Sequence, residues 1–143
     1  MKHPLTPPFF LAITTIASSA APDLLEKLKD DHARGAENWI YNDFEQAKAE
    51  AKRLNRPIFV TFRCVPCEAC SGFDAEVAQG SDRITNLRKK SFVSLRQVEM
   101  KNVDLSQFQF DYDLNWAAMF IHSDGTVYGR YGTQSAQGAD AYN

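Results

Sequence analysis

A short run suited to a buried strand, Ile58 to Phe62, leads almost directly into Cys64-Val65-Pro66-Cys67-Glu68-Ala69-Cys70, and that heptapeptide holds every cysteine of the chain. The run is β-branched and aromatic and follows Pro57, as expected of a central strand covered on both faces. Because the sulfur is confined to one place, it does not describe a dispersed disulfide framework. Where a strand feeds a helix, a C-x-x-C spacing puts one thiol at the helix N-terminus. There the exposed N–H groups and the helix dipole favour the thiolate, the form that attacks disulfides and binds metals.

The rest of the chain narrows the setting of this chemistry. At 143 residues it has room for one domain with a real core. The net charge of −2 becomes −3 without Lys2, the one charged residue among the first twenty, so no nucleic-acid surface is expected. No stretch approaches the roughly 18 apolar residues of a membrane span. Lys2, the apolar stretch Phe9 to Ala17 and the small residues Ser18-Ser19-Ala20 read as a secretion signal over 1–20, with cleavage after Ala20. Export to a periplasmic or extracellular setting follows, where thiols meet an oxidising environment.

Pro22 to Arg34 carries a thin apolar stripe of Leu24, Leu25 and Leu28, which predicts a helical lead-in over 21–37 before a domain over 38–143. After Trp39-Ile40-Tyr41, Asn42 and Glu45 resemble a capping box opening a helix with Phe44, Ala47, Ala51 and Leu54 on one face, ending at Asn55. Beyond the cysteines, Cys70, Phe73 and Val77 fall at helical spacing up to Gln79-Gly80, and Ser81 caps a further helix, Asp82 to Lys90. Arg88-Lys89-Lys90 reads as its solvated end. Phe92 to Met100 predicts a strand, Asp104 to Tyr112 a helix or turn, and Met119 to His122 a strand. Ser123-Asp124-Gly125 then turns the chain into a return strand, Thr126 to Tyr131. The tail from Gly132 barely begins the final helix that would cover the sheet.

Taken together, the helix, the apolar strand, the C-x-x-C opening a helix and the Gly-turned hairpin resemble the thioredoxin-like superfamily over roughly Trp39 to Gly132. Trp39, the Ala-rich helix, Arg56-Pro57-Ile58 and Phe62 are most similar to its exported bacterial members, in which a K-P-I-x-V-x-F strand leads to the cysteines. The resemblance implies an α/β fold, a mixed β-sheet flanked by helices with a C-terminal β-hairpin. It also places the first active-site cysteine five residues past the strand phenylalanine, at Cys67, with Cys70 as its partner. The helix pattern agrees, since the apolar positions three and seven after the second cysteine become Phe73 and Val77. The competing register, Cys64 with Cys67, has the family's proline before the second cysteine but shortens the loop after Phe62. Three positions depart from the family pattern. Its cis-proline falls on Ala117 after Trp116, its buried acid on Thr61, and the tryptophan before the first cysteine on Pro66.

In the redox chemistry this implies, Cys67 attacks a disulfide, Cys70 resolves the mixed disulfide, and Cys64 offers a second resolving thiol. Arg63 favours the thiolate and Glu68 opposes it. Protein thiols or disulfides are the expected partners, Trp116 and Ala117 the expected substrate contacts, and no cofactor is expected. Two other classes fit the residues. Cys64, Cys67 and Cys70 suit a soft metal held as in a metallochaperone, with His122 as the available fourth ligand. A non-catalytic interaction domain retaining the fold is the other, favoured by the absent proline. Phe108, Phe110 and Tyr112 read as core, and Asp124 as a turn former.

Overall fold

A computed structural model describes residues 24, 27–28, 38–65, 68–75, 80–101, 103–109 and 116–133. The expected secretion signal and the tail beyond 133 lie outside them. The strands are β1 (Trp39–Tyr41), β2 (Ile58–Arg63), β3 (Val93–Gln97), β4 (Trp116–Ile121) and β5 (Val127–Thr133). The helices are α1 (Phe44–Leu54), α2 (Glu68–Phe73) and α3 (Asp82–Ser91). The strands form one mixed sheet in the order β1-β3-β2-β4-β5. β1, β3 and β2 run parallel, while β4 is antiparallel to both β2 and β5. This is the α/β architecture expected, a mixed sheet flanked by helices and closed by a β-hairpin.

β2 lies in the middle, and all six of its residues are buried. Alternation along the strands divides the interior into two layers. Val60, Phe62, Leu95 and Met119 join Ala47 and Ala51 of α1 on one face. On the other, Trp39, Tyr41, Phe59, Trp116 and Ala118 enclose Leu28, which is 1% exposed. Burying a leucine this fully is worth about 1.5–3 kcal/mol, and Leu24 packs against the same cluster, so the lead-in is fastened to the sheet through these leucines. Phe59, Phe92 and Phe120 complete that face, with ring centroids 5.4–6.2 Å apart.

Local chemistry shifts several predicted boundaries. The helix cap is Asp43, whose side chain accepts from Gln46 N at 2.8 Å, not Asn42. Asn42 sits at φ +57°, and its Oδ1 accepts from Val98 N and Glu99 N, so the side chain ties the end of β1 to the end of β3. Asparagine tolerates that left-handed backbone better than most residues. Trp39–Tyr41, read only as the approach to a helix, is a strand. It is too short to announce itself by alternation and exists because β3 pairs with it. β4 begins at Trp116, three residues earlier than expected, because Trp116, Ala117 and Ala118 find partners in both β2 and β5. Arg88 is not at a solvated helix end: it is 4% exposed and donates to Ser94 Oγ at 2.7 Å. The hairpin forms as expected, with Gly125 at φ +100° and Asp124 accepting from Thr126 N. Around Asp104 the chain makes a turn closed by Ser106 N on the aspartate carboxylate.

Candidate functional site

The cysteine segment starts where β2 stops. Arg63, the last strand residue, pairs with Trp116, and Cys64 follows it into solvent. Val65 turns back onto the aromatic layer. Pro66 and Cys67 lie outside the described residues, and α2 opens at Glu68. One turn of helix carries Cys70 inward, where it is 1% exposed. Its Sγ lies 3.6 Å from that of Cys64, within reach of a thiol hydrogen bond and without a covalent bond between them. An exposed thiol and a buried one thus meet at the C-terminal end of the central strand.

Beneath them is a buried charged cluster that the sequence reading missed. Four residues beyond Cys70, Asp74 is fully buried, and its Oδ2 accepts from Arg63 Nη1 at 2.9 Å and from Arg96 Nη1 at 2.6 Å. Arg63 and Arg96 are themselves 3% and 0% exposed. The guanidiniums of Arg96 and Arg88 lie 4.3 and 4.2 Å from the centre of the Trp39 ring. Flat, weakly hydrated guanidiniums suit such a site, since they stack on aromatic faces and share carboxylates at low desolvation cost compared with an ammonium. The carboxylate therefore fastens the segment after α2 to both β2 and β3, through Arg63 beside Cys64 and through Arg96. Two signals pointed to it: Asp74 lies on the Cys70 side of the helix at a spacing of four, and Arg96 falls on one alternating face of its strand.

Thr61, standing where the family places its buried acid, is fully buried between Arg96 and Ala118 in register. The buried carboxylate of this chain comes instead from the helix side. Trp116 and Ala117, expected as substrate contacts, are 1% and 3% exposed inside β4, so their side chains offer no surface to a substrate. Their strand pairs on both edges, and no cis peptide bond occurs among the described residues. Trp116 instead meets Tyr131 edge-on at 6.1 Å. Phe108 is core, packed edge-on against Phe44 and Phe62 at 4.8 and 5.1 Å, while Phe110 and Tyr112 lie outside the described residues.

His122 does not approach the cysteines. It follows Ile121, which pairs with the first residue of β2, whereas Cys64 follows the last. Six strand residues at roughly 3.3 Å each separate the two ends by about 20 Å. His122 is exposed there and faces Asp124 at 3.2 Å, so it supplies no fourth ligand to a thiolate cluster. Among the described residues no group of three or more His, Cys, Asp or Glu side chains is arranged to hold a metal.

No curated protein matches the chain. Of the solved structures, a disulphide isomerase from Xylella fastidiosa Temecula1 is similar at 24% identity, over 61% of this chain and 69% of that one, with a TM-score of 0.47. A DsbH oxidoreductase is similar at 16% identity, over 68% of this chain and 74% of that one, with a TM-score of 0.52. The family model described as thioredoxin-like matches residues 39–123, from the start of β1 through the turn after β4. That span covers more than half of the sequence and all of the sheet except its last strand, and the chain belongs to the thioredoxin-like family.

Proposed function

We propose that this protein is an exported thiol-disulfide oxidoreductase acting on protein thiols and disulfides. The observation that carries the proposal is the meeting of exposed Cys64 with buried Cys70 at 3.6 Å, where the central strand hands over to a helix. Within the C-x-x-C pair, Cys67 is the attacking thiolate and Cys70 the resolving thiol. In the reducing direction, the Cys67 thiolate attacks one sulfur of a substrate disulfide, forms a mixed disulfide and expels the other sulfur as a thiolate. Cys70, losing its proton, then attacks Cys67 Sγ, forms the intramolecular disulfide and expels the second substrate thiolate. Two protein thiols are oxidised and one substrate disulfide is reduced.

Burial of Cys70 suits the second step, since a resolving thiol needs access to its neighbour and not to solvent. The Arg63–Asp74–Arg96 cluster keeps the helix segment in place while the sulfurs exchange. Trapping tests the assignment. Cys70→Ser is expected to accumulate mixed disulfides with protein partners through Cys67, most strongly with Cys64 also replaced. Failure of wild-type protein to reduce insulin-type disulfides, together with an absence of trapped partners, would overturn the proposal. Export is tested separately by N-terminal sequencing of the exported fraction, with Ala21 as the expected first residue; a cytosolic protein retaining Met1 would refute it.

A further inference from the structure

We infer that Cys64 and Cys70 form a second dithiol pair, in which Cys64 is an attacking thiol in its own right and shares the buried resolving thiol of the C-x-x-C pair. The inference rests on the thiol-disulfide reading above and goes beyond the family's two-cysteine motif. Three observations carry it. The two sulfurs are already in contact at 3.6 Å, so a bond between them needs an approach of about 1.5 Å. Their exposures are opposite: Cys64 is open to solvent and a bulky disulfide, while Cys70 is 1% exposed and meets the Cys64 sulfur from inside the fold. The backbones that carry them are tied together, because Arg63, adjacent to Cys64, donates to Asp74, one helical turn past Cys70. That ion pair is buried on both sides and holds the sulfurs at a separation that makes closure intramolecular.

The chemistry balances without any group beyond the substrate. The Cys64 thiolate attacks one sulfur of a disulfide R–S–S–R, forming Cys64–S–S–R and releasing RS⁻. Cys70 gives up its proton to solvent, attacks Cys64 Sγ, and releases the second RS⁻ as the Cys64–Cys70 disulfide forms. With Cys70 engaged in this bond, a mixed disulfide on Cys67 has no resolving thiol. The site therefore has two oxidised forms, of which only the Cys67–Cys70 form leaves Cys64 available.

The test uses the full mature chain carrying Cys67→Ser, fully reduced and mixed with a chromogenic aryl disulfide. The expected result is two aryl thiolates released per chain, the second at a rate independent of reagent concentration. The product should be a protein lighter by two hydrogens and carrying no aryl group. Cleavage after Arg63 and Glu68 then yields the Cys64 and Cys70 peptides joined by a disulfide. A protein that keeps one aryl group, with Cys70 still open to alkylation under denaturing conditions, or that keeps two, overturns the inference. Should Cys67→Ser not fold, Cys67→Ala under the same protocol serves in its place. Tandem mass spectrometry of oxidised wild type gives a second decision: a Cys64–Cys70 cross-link supports the pair, and exclusive Cys67–Cys70 linkage refutes it. The two proposals fail separately. A cross-link in Cys67→Ser alongside a wild type inert toward protein disulfides would sink the exchange function alone, whereas an active wild type whose Cys67→Ser variant retains its aryl adduct would sink the pair alone.

Discussion

The two faces of the sheet solve the same burial problem with different chemistry. On the α1 face, Ala47, Ala51, Val60, Leu95, Met119 and Ile121 exclude water with uncharged, apolar side chains. On the opposite face, Trp39 and Phe59 share the interior with Asp74 and three buried guanidiniums, those of Arg63, Arg88 and Arg96. The apolar face gains its stability from area and tight packing and tolerates conservative exchange. The charged face gains less, since desolvating ions offsets most of their attraction, and it depends on every partner staying in place. What it provides is position: a carboxylate shared by two guanidiniums fixes α2, and with it Cys70, relative to Cys64. The layer that stabilises and the layer that positions the thiols lie on opposite sides of one sheet.

The largest effect should come from breaking the charged face. Asp74→Ala leaves Arg63 and Arg96 without their shared acceptor, and a loss of about 3–5 kcal/mol is expected in denaturant unfolding. Replacing all three together, Arg63→Met with Asp74→Leu and Arg96→Met, should recover most of that stability while slowing formation of the Cys64–Cys70 bond. Full recovery with unaltered closure would show that the network has no positioning role.

Met119→Ala, on the apolar face, should cost about 2–5 kcal/mol through lost transfer energy and a cavity. The thiols are expected to keep their reactivity, because the change lies on the far side of the sheet; a large shift in thiol reactivity would mean the faces are coupled. Arg88→Met should cost about 1–3 kcal/mol, combining the hydrogen bond to Ser94 with stacking on Trp39. A change within a few tenths of a kcal/mol would place Arg88 at the surface in solution, as its sequence context implied.

The smallest effect belongs to the turn of the hairpin, which lies outside both layers. The Asp124 carboxyl sits below the usual aspartate range because it accepts from Thr126 N–H, with a smaller contribution from His122. A depressed folded-state value means that this stabilisation is present above the unfolded-state pKa and is lost as the pH falls through the folded one. Asp124→Asn should therefore flatten a shallow acid-side decline in thermal midpoint, leaving the profile above neutral pH unchanged.

The apolar face was readable from the chain because the β-branched and aromatic run Ile58 to Phe62 and the helical spacing of Phe44, Ala47, Ala51 and Leu54 are local patterns. Pro57 before the strand, Asn55 at the end of α1 and Asp124-Gly125 in the hairpin are equally local, so these boundaries followed from neighbouring residues. So did the clustering of the thiols, with Cys64, Cys67 and Cys70 set on a strand end and a helix start. What required tertiary structure was everything decided by a distant partner. Trp39–Tyr41 is a strand only because β3 lies beside it, and β4 extends back to Trp116 only because β2 and β5 both pair with it there. Arg63, Arg88, Arg96 and Asp74 carry the composition of a surface, and the spacings that put Asp74 on the Cys70 side of its helix and Arg96 on one face of its strand do not by themselves say that those faces are buried. The sheet brings together residues separated by 11 and 22 positions, and only that juxtaposition gives each charge a reason to leave water. The contact of Cys64 with Cys70 belongs to the same category: spacing allowed it, and the ion pair between Arg63, next to Cys64, and Asp74, four residues past Cys70, ties together the two elements that carry the sulfurs.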